Sequence, residues 1–142
     1  MQKIKRIRLE GGQKYESVLL GIVSAEPDYK LSLALNRKFG ISLKNNPPVI
    51  IQNNLPELSF SRFSDVSGST DLTYDLISNR TGKNFLLKKL KNIDYIFQIH
   101  DPGNEIDIST TINMLRGIDC ITAVFKIDPE TIKDKNLLFL IR

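Results

Sequence analysis

The sequence predicts an α/β domain of the α+β kind, a two-layer sandwich with an antiparallel or mixed sheet of about five strands and two helices on one face. Three stretches support this prediction. Residues 93–127 have the pattern of a strand, a helix and a second strand, residues 24–39 that of a helix, and residues 58–80 that of a β-hairpin. Because 142 residues is the size of one domain, we expect a single globular domain over residues 1–142.

The strand–helix–strand stretch has the clearest pattern. Apolar residues alternate over residues 93–99, which is the period of a strand with one buried face. A turn sequence at residues 101–104 ends that strand, apolar residues then recur at helical spacing over residues 108–115, and Gly117 is expected at the end of the helix. The alternation resumes over residues 121–127, so the sequence predicts a βαβ unit.

The chain before this unit is predicted to supply the remaining sheet. Residues 15–23 are nearly continuously apolar, which favours a central strand. Residues 24–39 are predicted to form a helix, with Pro27 expected at the first helical position and Gly40 just after the end. Residues 45–57 contain three prolines and four asparagines and are predicted to form a loop, pinned to the body by its central apolar residues.

The hairpin and the C-terminal tail complete the predicted elements. Residues 58–63 and 72–80 are predicted to pair as a hairpin, because glycine and serine lie between them. Asp128 is expected to cap a helical turn that Pro129 begins. Residues 137–141 are predicted to form a strand or a docked extended segment.

Composition favours a cytoplasmic protein that does not enter membranes. No apolar stretch follows the N-terminal methionine, as a secretory signal would require. The longest apolar run, residues 137–141, is far shorter than the roughly 20 residues of a membrane span. The single cysteine, Cys120, cannot form an internal disulfide and is expected to be a small core residue.

No residue pattern predicts catalysis. His100 is the only histidine, and Asp101 beside it is expected to point to the opposite face of the strand, so the two are poorly placed as a base and its orienting carboxylate. Asp101, Glu105 and Asp107 lack the spacing of a calcium loop. No phosphate-binding glycine motif is present either. We therefore predict no catalytic residues, no metal ligands and no cofactor, and an enzyme is the least favoured class.

The sequence also predicts an apolar interaction face on the side of the sheet away from the helices. If Tyr95, Phe97 and Phe125 pack beneath the helices, the opposite side is too apolar to face water. The residues assigned to that face are Leu19, Val23, Phe63, Ile96 and Val124. Its cover is predicted to be a second copy in a homodimer, the proline-rich loop, or the C-terminal tail laid across it.

Basic residues form a second candidate surface. They lie in two clusters: Lys3, Lys5, Arg6 and Arg8, and Lys83, Lys88, Lys89 and Lys91. An RNA-binding sheet would add exposed aromatic residues beside these positive charges. Since the strand aromatics other than Phe63 are assigned to the core, nucleic acid is possible but not favoured as a partner.

Several quoted stretches, in this order along the chain, resemble a known family. They are LGIVSAEPDYKLSLALNRKFGISL, FSRF, DLISNR, IDYIFQI and AVFKIDPETIKDKNLLF. They resemble the IPExxxVDY family of small bacterial proteins over nearly the whole chain. Where that family's motif begins with isoleucine, proline and glutamate, this chain has Leu87, Lys88 and Lys89, followed at the matching distance by Ile93, Asp94 and Tyr95. The resemblance implies a compact α/β domain of cytoplasmic type and no particular activity.

These observations together predict a non-catalytic binding or regulatory module that self-associates and contacts a protein partner. The alternative is an RNA- or ribosome-associated accessory protein.

Overall fold

The computed structural model describes residues 17–52, 57–65 and 71–140. In chain order its elements are β1 (Ser17–Val23), α1 (Asp28–Phe39), β2 (Lys44–Ile51), β3 (Leu58–Asp65), β4 (Thr73–Ser78), β5 (Arg80–Thr81), β6 (Asn84–Phe85), β7 (Tyr95–His100), α2 (Ile108–Arg116), β8 (Ala123–Ile127), α3 (Pro129–Ile132) and a 3-10 helix (Lys135–Phe139). Six of the strands form one sheet in the order β2-β3-β4-β7-β1-β8, and β5 pairs with β6.

Every pair of neighbouring strands in the six-stranded sheet is antiparallel. The predicted fold class is confirmed, since α1 and α2 pack on one face of this sheet and contribute Leu31, Leu35 and Leu115 to one core. The predicted strand–helix–strand unit is also present as β7, α2 and β8. However, β1 lies between β7 and β8 and pairs with both, so the two strands are parallel without being adjacent.

The core beneath the helices contains most of the side chains predicted for it. Leu31, Leu35, Tyr95, Phe97 and Leu115 are buried, and Phe39 and Ile112 pack against them partly exposed. Phe97 is fully buried, with its ring 5.8 Å from the ring of Phe39 and 5.8 Å from that of Tyr74.

The prediction that Phe125 is a core residue is wrong. In the antiparallel register Ile22 pairs with Val124 and Gly21 with Phe125. Ile22 faces the helices, so Val124 does too, and the next residue along the strand points the other way. Phe125 is consequently 46% exposed. The alternation over residues 121–127 therefore does not keep one face buried along the whole strand.

The face of the sheet opposite α1 and α2, here called the outer face, has a core of its own. Leu19 and Ile96 lie on it, covered by Leu86 and Leu87 from the segment between β6 and β7 and by the C-terminal segment. That segment is a 3-10 helix rather than the predicted strand or extended segment. The cause is local: the Asp134 carboxylate accepts a hydrogen bond from the Asn136 backbone N–H and caps a helical turn.

The C-terminal cover is fixed by one further contact. The Asn136 side chain donates to the Leu86 carbonyl at 2.6 Å, which joins the 3-10 helix to the other covering segment. Leu137 and Leu140 are buried in the outer core. The N-terminal cap of α3 is as predicted, with Asp128 accepting from Glu130 N–H and Pro129 at the first helical position.

The proline-rich stretch is a strand, so the prediction of a loop over residues 45–57 is wrong for its first half. β2 pairs with β3 at the edge of the sheet, with a register shift between Asn46 and Val49 where Pro47 and Pro48 lie. Prolines are tolerated there because an edge strand need not donate on its open side. Val49 and Ile51 are buried in the outer core, as the pinning prediction required.

The first helix begins later than predicted. Pro27 takes the cap position before α1 rather than a place within it, while Gly40 ends the helix with a positive φ of 66° as expected. The preceding turn is held by Ser24, whose N–H donates to the Asp94 carboxylate at 2.9 Å and whose hydroxyl donates to the Cys120 carbonyl at 2.7 Å. Cys120 itself packs partly buried beside the core under the helices, close to its predicted role.

Candidate functional site

A polar cleft of about 380 Å³ opens on the outer face, beside the part that the apolar segments cover. We call it the outer-face cleft. Its lining residues come from five strands and the end of the 3-10 helix: Ser17, Asn46, Arg62, Ser64, Thr73, Asp75, Ile77, Gln98, His100 and Leu140. Its volume is at the small end of the range for ligand pockets.

Strand register explains why these side chains converge. Asp75 pairs across the strands with both Ser64 and Gln98, and Thr73 and Ser17 both pair with His100. Directly opposed residues in a sheet point to the same side. Alternating positions along β3, β4 and β7 therefore place one polar group after another on the outer face. The next opposed pair of β4 and β7 on the outer face is Ile77 and Ile96, where the apolar cover begins.

Gln98 is a buried polar residue of the cleft, with 7% of its surface exposed, as is Ser64. Its Nε2 donates to the Leu140 backbone carbonyl and, at 3.3 Å, to the Ser17 hydroxyl. Because a carbonyl can only accept, this contact fixes which end of the amide is the nitrogen. The Gln98 Oε1 atom accepts no hydrogen bond from any residue that the structure describes.

Ser17 and His100 extend this hydrogen-bond chain. Their Oγ and Nδ1 atoms are 3.3 Å apart. Since Gln98 already donates to the Ser17 hydroxyl, that hydroxyl is free to donate to His100. The structure thus places His100 inside a polar cleft at the end of β7, half-buried.

Asn46, Ser64 and Asp75 form a second chain on the other wall. The Asn46 amide donates to the Ser64 hydroxyl at 3.1 Å, and that hydroxyl donates to one carboxylate oxygen of Asp75. The second oxygen of Asp75 accepts nothing from residues 17–52, 57–65 and 71–140. This wall therefore presents a negative charge to the cleft.

Arg62 brings a positive charge to the same wall. Its Nε donates to the Pro47 carbonyl at 3.0 Å, which fixes the guanidinium while leaving its terminal nitrogens to other partners. Across the described chain the only ion pair found joins Arg80 and Asp94 at 2.7 Å, so Arg62 and Asp75 do not neutralise each other. The cleft offers separate sites for an anionic and a cationic group.

The cleft places a hydroxyl group beside the only histidine of the sequence. Ser17 beside His100 resembles a nucleophile and a base, a pairing that the sequence did not predict. The next residue in the chain, Asp101, accepts hydrogen bonds from the backbone N–H groups of Glu105 and Ile106 at 2.8 and 3.0 Å and so closes the turn after β7.

Neither a metal site nor a membrane span is found within the part of the chain that the structure covers. No group of three or more histidine, cysteine, aspartate or glutamate side chains is placed there to hold a metal ion. Of the acidic residues considered in the sequence, Asp101 closes a turn and Asp107 caps α2 by accepting from Ser109 N–H. None of the helices described is long and apolar enough to cross a membrane.

The five residues predicted to form one apolar interaction face do not share a face. Leu19, Val23 and Ile96 belong to the outer core, but Phe63 and Val124 pack in the core under the helices. For Phe63 the cause is its register, since it pairs with Leu76, which faces the helices. Leu19 and Ile96 are covered by segments of the same chain, so a second copy is not needed to cover them. The homodimer stays a prediction.

The structure describes only one of the two predicted basic clusters. Lys3, Lys5, Arg6 and Arg8 lie outside the described residues. Lys83, Lys88, Lys89 and Lys91 are all exposed. Lys89 reaches the C-terminal segment, where its Nζ donates to the Lys133 carbonyl at 3.4 Å.

The sequence signal that would have located the cleft is a polar alternation. Arg62 and Ser64 on β3, Thr73 and Asp75 on β4, and Gln98 and His100 on β7 each stand two residues apart. Such spacing on one strand is unremarkable. Three strands that carry it in one register would have indicated a polar half of the outer face, but the register cannot be read from a single sequence.

Comparison with protein-family models, with curated proteins and with solved structures found no match. The resemblance to the IPExxxVDY family therefore stays a prediction that rests on the quoted stretches.

Proposed function

We propose that this protein is a non-catalytic binding module that takes a small polar ligand in the outer-face cleft. The observation that carries the proposal is the convergence of polar side chains from five strands on a cleft beside a sealed apolar core. Groups held on strands are positioned more rigidly than groups on loops. The two hydrogen-bond chains hold Gln98 and Asp75 in place before any ligand arrives.

The proposal replaces the apolar interaction face as the basis for binding. An apolar face would have required a protein partner, whereas a small cleft lined by charged and polar groups suits a small molecule. A regulatory role, as the sequence suggested, remains compatible with such a ligand. Self-association is not needed for it.

Ligand-observed NMR with a library of small polar molecules tests the proposal. The library should contain amino acids, organic acids, sugars, polyamines and nucleosides. We expect at least one compound to bind, and binding to be measurably weakened in Arg62→Gln or Asp75→Asn. The matched control is Arg37→Gln, an exposed arginine of α1 that lies outside the cleft. Binding that ignores both cleft variants, or no binding at all, would refute the proposal.

A second candidate function, RNA or ribosome association, is favoured by one observation. Phe125 is an exposed aromatic residue on a strand and shares a second, mostly apolar pocket with Asn92, Lys126 and Asp128. Lys91, which precedes Asn92 in the chain, is exposed. Bases stack on aromatic residues placed among positive charges. The test is the ratio of absorbance at 260 to that at 280 nm for the purified protein. A high ratio that falls after a high-salt wash supports this candidate, and an unchanged low ratio contradicts it.

A further inference from the structure

We infer that the ligand of the outer-face cleft is a small zwitterion that carries an ammonium and a carboxylate group close together, as a free α-amino acid does. This inference rests on the proposed function and names the chemical class of the ligand. It comes from the charges and the unused hydrogen-bond acceptors of the cleft.

The ammonium site is the Asp75–Gln98 pair. These two residues stand directly opposite each other on β4 and β7. One carboxylate oxygen of Asp75 is used by Ser64, and the Gln98 amide nitrogen is used by Leu140 and Ser17. What remains in the described structure is one oxygen on each residue, and both are acceptors. Gln98 is buried and Asp75 is half-buried. A buried acceptor without a donor costs free energy, so a group with several N–H donors fits beside the Gln98 oxygen and the Asp75 carboxylate.

The carboxylate site is Arg62. It lies diagonally across β3 and β4 from Asp75, because Arg62 pairs with Ile77 and Ser64 with Asp75. Diagonal neighbours in an antiparallel sheet are about 7–8 Å apart at their backbones, and the arginine side chain can cover most of that distance. A guanidinium held at Nε by Pro47 still presents donors in the fork that matches a carboxylate.

The two charges explain why a zwitterion fits better than simpler ligands. An amine or a polyamine would leave Arg62 without a counter-charge, and an organic acid would face Asp75. A neutral sugar would satisfy acceptors but neither charge. Only a ligand that carries both charges can pair with Arg62 and Asp75 together. The cleft, with a volume of about 380 Å³, admits a small ligand of this kind.

The test uses the wild-type chain with the common amino acids and with two derivatives of whichever binds. Isothermal titration calorimetry measures each affinity. Blocking the amine by N-acetylation and blocking the carboxylate as a methyl ester should each weaken binding by about 10- to 100-fold, the usual effect of losing a charge-assisted contact. In Asp75→Asn the penalty for N-acetylation should shrink, and in Arg62→Gln the penalty for the ester should shrink.

The remaining outcomes separate the inference from the proposed function. If both derivatives bind as well as the parent amino acid, the inference is wrong. If no amino acid binds but an amine, an acid or a sugar does so in a manner sensitive to Asp75→Asn, the inference is wrong and the binding module stands. If no compound of any class binds, both fail. Circular dichroism of the variants establishes that a lost signal reflects the cleft and not the fold.

Discussion

Asn79 is expected to be the polar residue whose replacement destabilises this fold most. It is fully buried at the end of β4. Its side-chain nitrogen donates to the carbonyls of Leu90 and Ile93 at 2.9 and 3.1 Å, and its side-chain oxygen accepts from Leu87 N–H at 2.8 Å. One amide thus satisfies three backbone groups of the segment that covers the outer core.

The size of the effect follows from the groups that lose their partner. Asn79→Ala leaves the Leu87 N–H and the Ile93 carbonyl without these hydrogen bonds, whereas the Leu90 carbonyl still accepts from the Ile93 N–H at 3.3 Å. Each unsatisfied buried group costs about 1–3 kcal/mol, so we expect a loss of about 2–6 kcal/mol in the free energy of unfolding, a large part of the roughly 5–15 kcal/mol typical of a domain. Asn79→Asp keeps the acceptor for Leu87 but turns an oxygen toward two carbonyls.

Urea denaturation followed by circular dichroism measures both variants. The cost of Asn79→Asp relative to wild type should grow between about pH 4 and pH 7, because the buried carboxylate is tolerated only while it is protonated. The matched control is Asn92→Ala, an exposed asparagine of the same segment, which should change stability by less than about 0.5 kcal/mol. A cost for Asn79→Ala no larger than that of the control would refute this reasoning.

Four further predictions concern packing, titration and the C-terminal segment. Phe97→Ala should cost about 3–5 kcal/mol in urea denaturation, and a cost below about 1 kcal/mol would contradict its place in the core. Gly21→Ala should cost about 1–3 kcal/mol because the new Cβ would stand 3.0 Å from two atoms of Ile93. Adding Ile93→Val to this variant should recover part of the lost stability, and no recovery would argue against that contact. Burial, followed by the charges of Asp28 and Asp94, raises the pKa of Tyr95 from 10.0 to about 12. The contribution of Tyr95 to stability is therefore complete below pH 10 and is lost as pH rises through about 12. Tyr95→Phe should flatten the alkaline decline in the free energy of unfolding, and an unchanged slope would contradict this. Deleting residues 136–142 should lower stability or cause self-association in light scattering, whereas a stable monomer after deletion would show that the outer core needs no cover.

The sequence predicts those parts of the fold that local patterns control. The helical spacing of Leu31 and Leu35 and the alternation around Phe97 place these side chains in the core, as the structure confirms. Helix caps are equally local, so Gly40 ends α1 and Asp128 caps the start of α3 as expected. Such features depend on residues within a few positions of one another, so a single sequence contains the necessary information.

Features that depend on pairing between distant strands could not be predicted in this way. Phe125 faces outward because of its register against Gly21, about a hundred positions earlier in the chain. Pro47 and Pro48 favour a loop by local rules, yet they lie in a strand since that strand is at the edge of the sheet. The outer-face cleft has the same origin, because Ser17, Asp75 and Gln98 are brought together only by strand order.

Leu140 shows why the apolar cover and the cleft are parts of one arrangement. Its side chain is buried in the outer core, while its backbone carbonyl accepts from the Gln98 amide at the wall of the cleft. The outer face is therefore neither wholly an interface nor wholly sealed. Around Leu19 and Ile96 it is covered by the chain itself. Along β4 and β7 this cover ends where the opposed residues change from Ile77 and Ile96 to Asp75 and Gln98. The C-terminal segment covers part of the apolar core and also accepts the hydrogen bond that orients the Gln98 amide in the cleft. The packing of this segment and the geometry of the cleft are therefore coupled.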